Sequence, residues 1–138
     1  MDKVLNYLAL ARKGGRAELG EEPVGAAARA LHAHLIVVAS DASDHTWRRA
    51  KSYAAGTDQQ CIRLPYTKDE MGFVIGRTSL AIAAITDAQL AMAMVTALGQ
   101  PEKYKAVLEV LAVKVEKARK RQAEAKAHQK NLRKGKKK

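Results

Sequence analysis

Residues 20–43 read GEEPVGAAARALHAHLIVVASDAS, and this stretch decides the fold. Two acids and a proline follow the first glycine, and they suit the first turn of a helix. The helix dipole favours negative charge there, and the N–H that proline lacks is not needed. The Ala-rich segment after them predicts a helix from about Glu22 to His32. The continuous apolar run from Leu35 to Ala39 is too short for an independent helix and rich in β-branched residues, so it predicts a strand buried on both faces.

Alternating helix and strand signals fill the rest of residues 1–100. Apolar residues recur at helical spacing from Val4 to Ala11, and Gly14-Gly15 can end that helix with a left-handed residue. Capping residues and apolar runs predict the remaining elements: strands over 16–19, 60–64 and 79–85, helices over 44–55 and 89–98, and a short helix between Thr67 and Gly76. Because helices and strands alternate, we expect an α/β fold, a three-layer α-β-α sandwich with helices on both faces of a small mixed sheet.

Composition limits what the chain can be. At 138 residues, of which 47% are hydrophobic, it is long enough for one domain with a core. The most hydrophobic stretch, from Ser79 to Leu98, is interrupted by Asp87 and Gln89, so we expect no membrane partner. The N-terminus lacks a signal-peptide pattern, which favours a cytoplasmic location. Cys61 is the single cysteine, so neither an intrachain disulfide nor a cysteine-based zinc site can form.

The net charge of +11 lies almost entirely in the C-terminal segment. Residues 1–100 hold 11 Lys and Arg against 10 Asp and Glu, whereas residues 101–138 hold 14 against 4. Such a segment attracts phosphate groups by electrostatics that do not depend on sequence. The alternative is a solvated tail that only keeps the protein in solution, although the excess of basic residues is larger than solvation requires.

This basic segment divides into two predicted pieces. Apolar residues spaced by four and three, from Tyr104 to Ala118, predict an amphipathic helix over residues 101–118 that docks on the domain, and dimerisation through the same face stays an alternative. Residues 119–138 hold one large apolar residue, Leu132, and predict a basic, flexible tail. The residues expected to contact phosphates are Lys117, Arg119, Lys120, Arg121, Lys126, Lys130, Arg133, Lys134, Lys136, Lys137 and Lys138.

Patterns for catalysis and metal binding are weak. His32 and His34 are two residues apart, but no cysteine or acid cluster completes a metal site with them. Ser40, Asp41 and His45 offer a nucleophile, an acid and a base, yet helix capping explains the first two more simply. The glycines match neither a Walker loop nor a dinucleotide fingerprint. We therefore expect no enzymatic activity, no cofactor and no metal.

Four segments, taken in order, resemble one known family. They are LALARKGGRAELGEE at residues 8–22, LIVVASDAS at 35–43, MGFVIGR at 71–77 and AIAAITD at 81–87. Together they resemble the L-seven-Ae/L-thirty-e ribosomal-protein superfamily over about residues 3–98, and the nearest resemblance is to its small bacterial YlxQ-type members. The resemblance implies an α-β-α sandwich that binds structured RNA, typically at kink-turns or similar internal loops, in a ribosomal or ribosome-associated role without catalysis.

The resemblance also implies an RNA-binding face in which three segments converge on one edge of the domain. Its residues lie on the second helix and in the loops after the central and last strands: Gly20, Glu21, Glu22, Arg29, Ser40, Asp41, Ala42, Ile85, Thr86 and Asp87. Basic residues expected to contact phosphates near this face are Lys13, Arg16 and Arg77. Kink-turn binders carry an Asn-Glu pair and then a Lys at the helix start, where this chain has acids and Ala26. An ionised glutamate accepts hydrogen bonds but cannot donate them.

Two classes of function follow from these features. In the first, the protein is an RNA-binding component of a ribonucleoprotein: its α/β domain recognises a kink-turn-like or looped element, expected to be ribosomal RNA, and its tail contacts phosphates of a neighbouring duplex. Ribosomal proteins are further candidate partners. In the second, the domain is a protein-interaction module, and the tail gives only non-specific association with RNA. Binding by residues 1–100 without the tail discriminates between the two.

Overall fold

A computed structural model describes residues 2–136, with side chains as far as residue 129. The helices along these residues are α1 (Lys3–Lys13), α2 (Glu21–Arg29), α3 (Asp44–Ala54), α4 (Lys68–Val74), α5 (Ala88–Ala97) and α6 (Lys105–Lys136). The strands are β1 (Ala17–Leu19), β2 (Leu35–Val38), β3 (Gln60–Arg63) and β4 (Ile82–Ile85). Some predicted phosphate contacts lie outside the described residues, namely Lys137 and Lys138 and the side chains of Lys130, Arg133, Lys134 and Lys136.

The strands form one mixed sheet in the order β1-β4-β2-β3. β4 is antiparallel to both of its neighbours, whereas β2 and β3 are parallel. In the register, Val38 lies opposite Ile82 and Leu35 lies opposite Ile85. The chain therefore leaves β2 at the end of the sheet where β4 begins, and it leaves β4 at the end where β2 begins.

The two ends of the sheet are named here by one residue of each. The Gly20 end is made of the segments 20–22, 39–43, 64–68 and 76–81. The Thr86 end is made of the segments 14–16, 30–34, 55–59 and 86–88. Because the strands run between them, the two ends face in opposite directions along the sheet.

Helices cover both faces of the sheet. On one face α2 contacts β1 and β4, α3 contacts β2 and β3, and the two helices contact each other. On the other face α1 and α5 pack together, α4 packs on α1, and α6 packs on α5. Every residue of β2 and β4 is buried, as expected for strands covered on both sides. The predicted three-layer α/β sandwich is therefore confirmed.

Side-chain caps begin α3, α4 and α5 where the sequence predicts them. Ser43 accepts a hydrogen bond from the Thr46 amide at the start of α3, and Asp87 accepts one from the Leu90 amide at the start of α5. Thr67 and Glu70 form a reciprocal capping box on α4. These caps are local, within three residues in sequence, which is why they could be predicted.

Two element boundaries differ from prediction. α2 ends at Arg29 rather than near His32, because Leu31 adopts a left-handed backbone (φ 61°) and closes the helix. The amides of Leu31 and His32 donate to the carbonyls of Ala28 and Ala27, the pattern of a Schellman motif. The last strand begins at Ile82 rather than Ser79, because the preceding residues are tied to α4, where the Leu80 amide donates to the Lys68 carbonyl.

The predicted division at residue 118 is wrong as a structural boundary. α6 runs without interruption from Lys105 to Lys136, so the backbone of residues 119–136 is helical. Lys, Arg, Gln, Glu and Ala dominate this segment and are strong helix formers, which allows the helix to continue beyond its docked part. The docked part buries Leu111, whereas residues 116–129 are exposed.

A buried glutamine joins three segments at the Thr86 end. Gln59 is 3% exposed, and its side-chain oxygen accepts a hydrogen bond from the Ala33 amide at 2.9 Å. Its side-chain nitrogen donates to the Ala28 carbonyl at 3.1 Å. Since buried polar backbone groups are costly without partners, this side chain fixes the passage from α2 to β2.

Candidate functional site

The start of α2 presents free backbone donors at the Gly20 end. Gly20 has φ 95°, a conformation that favours glycine, and no side chain caps the helix there. Pro23 has no N–H, and the Val24 amide already donates to the Gly20 carbonyl. The amides of Glu21 and Glu22 thus have no hydrogen-bond partner among the described residues. Two N–H groups at the positive end of a helix form a small site suited to an anion or another acceptor.

The first two acids of α2 differ in what they contact. The Glu21 carboxylate accepts hydrogen bonds from Thr46 Oγ1 at 3.3 Å and from the Arg49 guanidinium at 3.1 Å. These contacts tie α2 to α3 and neutralise the charge of Glu21. Glu22 is exposed. Of the two predicted contacts, Glu22 is the one whose carboxylate is available to a ligand.

The loop after β2 lies beside this helix start. Ser40 and Asp41 are exposed, and the Ser40 amide donates to the Tyr66 carbonyl at 2.8 Å. Asp41 Oδ1 accepts a hydrogen bond from the Lys68 amide at 2.8 Å, so this carboxylate caps α4. Ala42, by contrast, is buried and offers a ligand no accessible group.

A third loop, which carries the predicted phosphate contact Arg77, completes the Gly20 end. Residues 76–81 precede β4, and Arg77, Thr78 and Ser79 are all exposed. Gly72 of α4 lies against this loop so closely that an added Cβ would be 2.7 Å from the Ser79 nitrogen. A glycine at position 72 therefore sets where Arg77 and its neighbours lie.

The predicted convergence of three segments on one edge is wrong for the loop after the last strand. Antiparallel pairing with β2 places Thr86 and Asp87 at the opposite end of the sheet from Gly20 and Ser40, and Ile85 is fully buried. The Thr86 amide donates to the Arg16 carbonyl at 2.9 Å, so Arg16 belongs to this end as well. Also away from the Gly20 end are Lys13, in the last turn of α1, and Arg29, in the last turn of α2.

The Gly20 end that results has mixed charge. Its basic side chains include Arg77, on the loop before β4, and Lys68, the first residue of α4. Its exposed acids include Glu22 and Asp41. The arrangement offers two helix amides, serine and threonine hydroxyls and one guanidinium as donors, with carboxylates as acceptors. It can therefore recognise a ligand that has both phosphates and hydrogen-bonding edges.

Trp47 is the single tryptophan of the chain and lies on α3. In the structure its ring is half-buried, and the Arg63 guanidinium lies 4.9 Å from the ring centroid. The Lys51 ammonium lies 5.5 Å from the same centroid. Cation–π contacts within the fold thus occupy this ring.

The side chains that were candidates for catalysis or metal binding have contacts that explain them without a chemical role. Asp41 is engaged with the α4 backbone, and burial raises the pKa of the Cys61 thiol to about 12, which keeps it protonated and unreactive at neutral pH. Burial, followed by the charge of Lys114, lowers the pKa of His34. As far as side chains are described, to residue 129, no group of three His, Cys, Asp or Glu is placed to hold a metal ion. None of the helices described there combines the length and apolar composition that a bilayer crossing requires.

Comparison with known proteins shows the fold alone. No protein-family model and no curated protein matches this chain. A solved structure of a Bacillus halodurans protein of unknown function is similar to it, with a TM-score of 0.67 and 21% identity, covering 72% of this chain and 99% of that one. The match therefore leaves a segment of this chain outside the shared fold.

Three side-chain contacts that hold the Gly20 end are not predictable from the sequence. Arg49 and Thr46, which hold Glu21, lie 28 and 25 residues from it, and the Asp41 contact spans 27 residues. No local pattern encodes such pairs. Gly72 does give an indication in the sequence. A glycine inside a short helix is unfavourable, so its presence indicates that another segment packs closely against the helix there.

Proposed function

We propose that the protein binds structured RNA through its Gly20 end. The observation that carries this proposal is the pair of uncapped amides at Glu21 and Glu22, at the same end of the sheet as exposed hydroxyls and Arg77 on the neighbouring loops. Donors from a helix start and from two loops suit a bent or looped RNA, whose backbone and unpaired base edges are accessible together. Resemblance of residues 8–22, 35–43, 71–77 and 81–87 to the L-seven-Ae/L-thirty-e superfamily supports the same class of ligand.

Each group has a role in this proposal. The two amides and Arg77 donate to phosphate oxygens or base acceptors, and Arg77 supplies the charge that helix amides lack. Glu22 accepts from exocyclic amino groups of guanine or cytosine, since a carboxylate has no proton to donate. Glu21 acts through Arg49 and Thr46 by fixing the start of α2. A ribosome-associated role in the cytoplasm is part of the proposal.

The test is binding of the full chain to a kink-turn RNA and to a matched duplex without the kink, across a salt series. We expect Arg77→Glu to weaken binding to the kinked RNA about tenfold or more, because it replaces a donor by a repelling charge. Arg29→Glu is the matched control: it makes the same change at an exposed position at the opposite end of α2. Equal effects of the two variants would refute a site at the Gly20 end.

One observation favours a second candidate function, a protein-interaction module. Phe73 is 80% exposed and borders a cleft of about 570 Å³ that Leu5, Tyr66 and Val74 also line. Three carboxylates surround this cleft, those of Asp2, Asp69 and Glu70. An apolar cleft with an acidic rim suits a basic amphipathic peptide, such as a segment of a ribosomal protein.

A Lys- and Leu-rich helical peptide tests this second function by fluorescence titration. Binding that Phe73→Ser abolishes, with the kink preference of the first test absent, would favour the interaction module over RNA recognition. No saturable binding of the peptide would exclude this role for the cleft.

A further inference from the structure

The C-terminal helix leaves the domain at the Thr86 end, away from the Gly20 end. Lys114 on α6 forms an ion pair with Asp58, Nζ to Oδ1 3.4 Å, in the segment that precedes β3. Further along α6, Lys117, Ala118 and Arg121 border the same cleft as Thr86 and Asp87. The docked part of α6 therefore ends beside the β4–α5 loop, and the helix continues outward from there.

A cleft of about 460 Å³ marks this exit point. Leu31 and His34 form one wall, residues 86–88 form another, and successive turns of α6 contribute Lys114, Lys117 and Arg121. His34 Nδ1 is buried and has no hydrogen-bond partner among the described residues. Because burial lowers the pKa of His34, this ring is neutral at pH 7 and the positive charge of the cleft comes from α6.

The two acids of the cleft are already engaged. Asp58 pairs with Lys114, and Asp87 accepts the Leu90 amide at 2.9 Å as the cap of α5. Among the side chains that the structure describes, those of residues 2–129, no carboxylate lies at ion-pair distance from Lys117 or Arg121. These two exposed cations, one turn apart, thus face the cleft without a counter-charge of their own.

The charge continues along the projecting helix. Residues 117–128 contain five Lys and Arg against one Glu, and all of them are exposed. At a rise of 1.5 Å per residue, this part of α6 is about 18 Å long. No large apolar side chain occurs in it, whereas a helix that lies on a membrane surface needs an apolar face. A phosphate backbone is the polyanion that such a predominantly basic helix fits best.

We propose that Lys117, Arg121 and the projecting part of α6 form a second nucleic-acid-binding surface, which binds the phosphate backbone of an RNA duplex. It rests on the proposed function, in that the ligand of the Gly20 end is also RNA. The two surfaces lie at opposite ends of the sheet, so each can hold a separate RNA segment. The protein then joins two separate RNA segments.

Binding of the intact chain to a plain 20-base-pair RNA duplex tests the second surface. The double variant Lys117→Glu/Arg121→Glu should weaken binding about tenfold or more and lower the slope of log K against log salt by about 2. The control Arg48→Glu/Lys51→Glu makes the same charge change at exposed positions on α3. It should change the affinity no more than about twofold. Equal losses in both variants would show a net-charge effect and overturn the proposal.

A bridging assay then separates the two surfaces. A kink-turn RNA is immobilised, the protein is added, and capture of a labelled duplex is measured. We expect capture with the wild type and its loss in Lys117→Glu/Arg121→Glu, while occupancy of the immobilised RNA stays within about twofold. If this variant lowers that occupancy as much as Arg77→Glu does, the chain has a single interface and the proposal fails.

Two further outcomes are decisive. Loss of kink preference in the wild type, with duplex binding still sensitive to Lys117 and Arg121, contradicts the proposed function but supports the second surface. Tighter binding to vesicles of anionic lipid than to the duplex, abolished by the same double variant, assigns the surface to a membrane and overturns the RNA proposal. Circular dichroism at equal concentration confirms that each variant keeps its helices.

Discussion

Replacing Gly72 by alanine tests how the third loop of the Gly20 end is positioned. A Cβ at this position would lie 2.7 Å from the Ser79 nitrogen, 2.8 Å from Ser79 Cα and 2.9 Å from the Arg77 carbonyl oxygen. Ordinary contacts between such atoms are about 3.5 Å, so the loop or α4 must move by roughly 0.8 Å. All three atoms belong to the backbone, and rotation of a side chain cannot relieve the contact.

The expected cost follows from this geometry. Overpacking of a buried site costs roughly 1–3 kcal/mol, and for a domain of this size each kcal/mol lowers Tm by about 4–8 °C. We therefore expect Gly72→Ala to lower Tm by about 10 °C, measured by thermal unfolding followed by circular dichroism. Displacement of Arg77 should also weaken binding to kink-turn RNA at temperatures where the variant stays folded.

The matched control is Gly14→Ala. Its added Cβ has its nearest contact at 3.4 Å, to the Leu10 carbonyl oxygen, and the backbone φ of −84° suits any residue. We expect a change of Tm within about 2 °C for this control. If Gly72→Ala is as stable as Gly14→Ala, the loop yields without cost, and the argument that Gly72 fixes Arg77 is refuted.

Two further predictions concern the Thr86 end. Leu31→Gly should stabilise the protein by about 1 kcal/mol in urea unfolding, because glycine removes the strain of a left-handed leucine (φ 61°); Leu31→Ala keeps that strain, and equal effects of the two would contradict this cause. The pKa of His34 is lowered by burial and by Lys114, so the unfolded chain binds more protons near and below pH 6.5, and stability should fall as pH drops from 7.5 to 5.5. His34→Gln should reduce that fall relative to the exposed control His45→Gln, and identical pH profiles would argue against it.

The sequence allowed most of the fold to be predicted where the signals are local. Three kinds of signal act within a few residues and can be recognised without tertiary contacts. They are the apolar run at 35–39, the caps at Ser43, Thr67 and Asp87, and the glycines after α1. The early end of α2 at Arg29 was missed, because a leucine in the left-handed conformation gives no signal of the kind that glycine gives.

The candidate site was only partly predictable. The resemblance predicted that the start of α2 and the loop after β2 belong to the site, and the structure places both segments at the Gly20 end. The resemblance also predicted that the loop after β4 belongs to the site, but the direction of β4 excludes this loop from the Gly20 end. Antiparallel pairing sends this loop to the other end of the sheet and brings residues 76–81, which precede β4, to the Gly20 end instead.

By itself, the sequence determined the class of fold, the positions of most helices and strands, and the concentration of positive charge after residue 100, because hydrophobic period, capping and charge are properties of neighbouring residues. The tertiary structure alone decided which loops share an end, that Glu21 is held by Arg49, that Gly72 supports Arg77, and that α6 leaves the domain opposite the Gly20 end. These contacts depend on strand order and direction, which pair residues far apart in the chain and leave no local pattern from which they could be predicted.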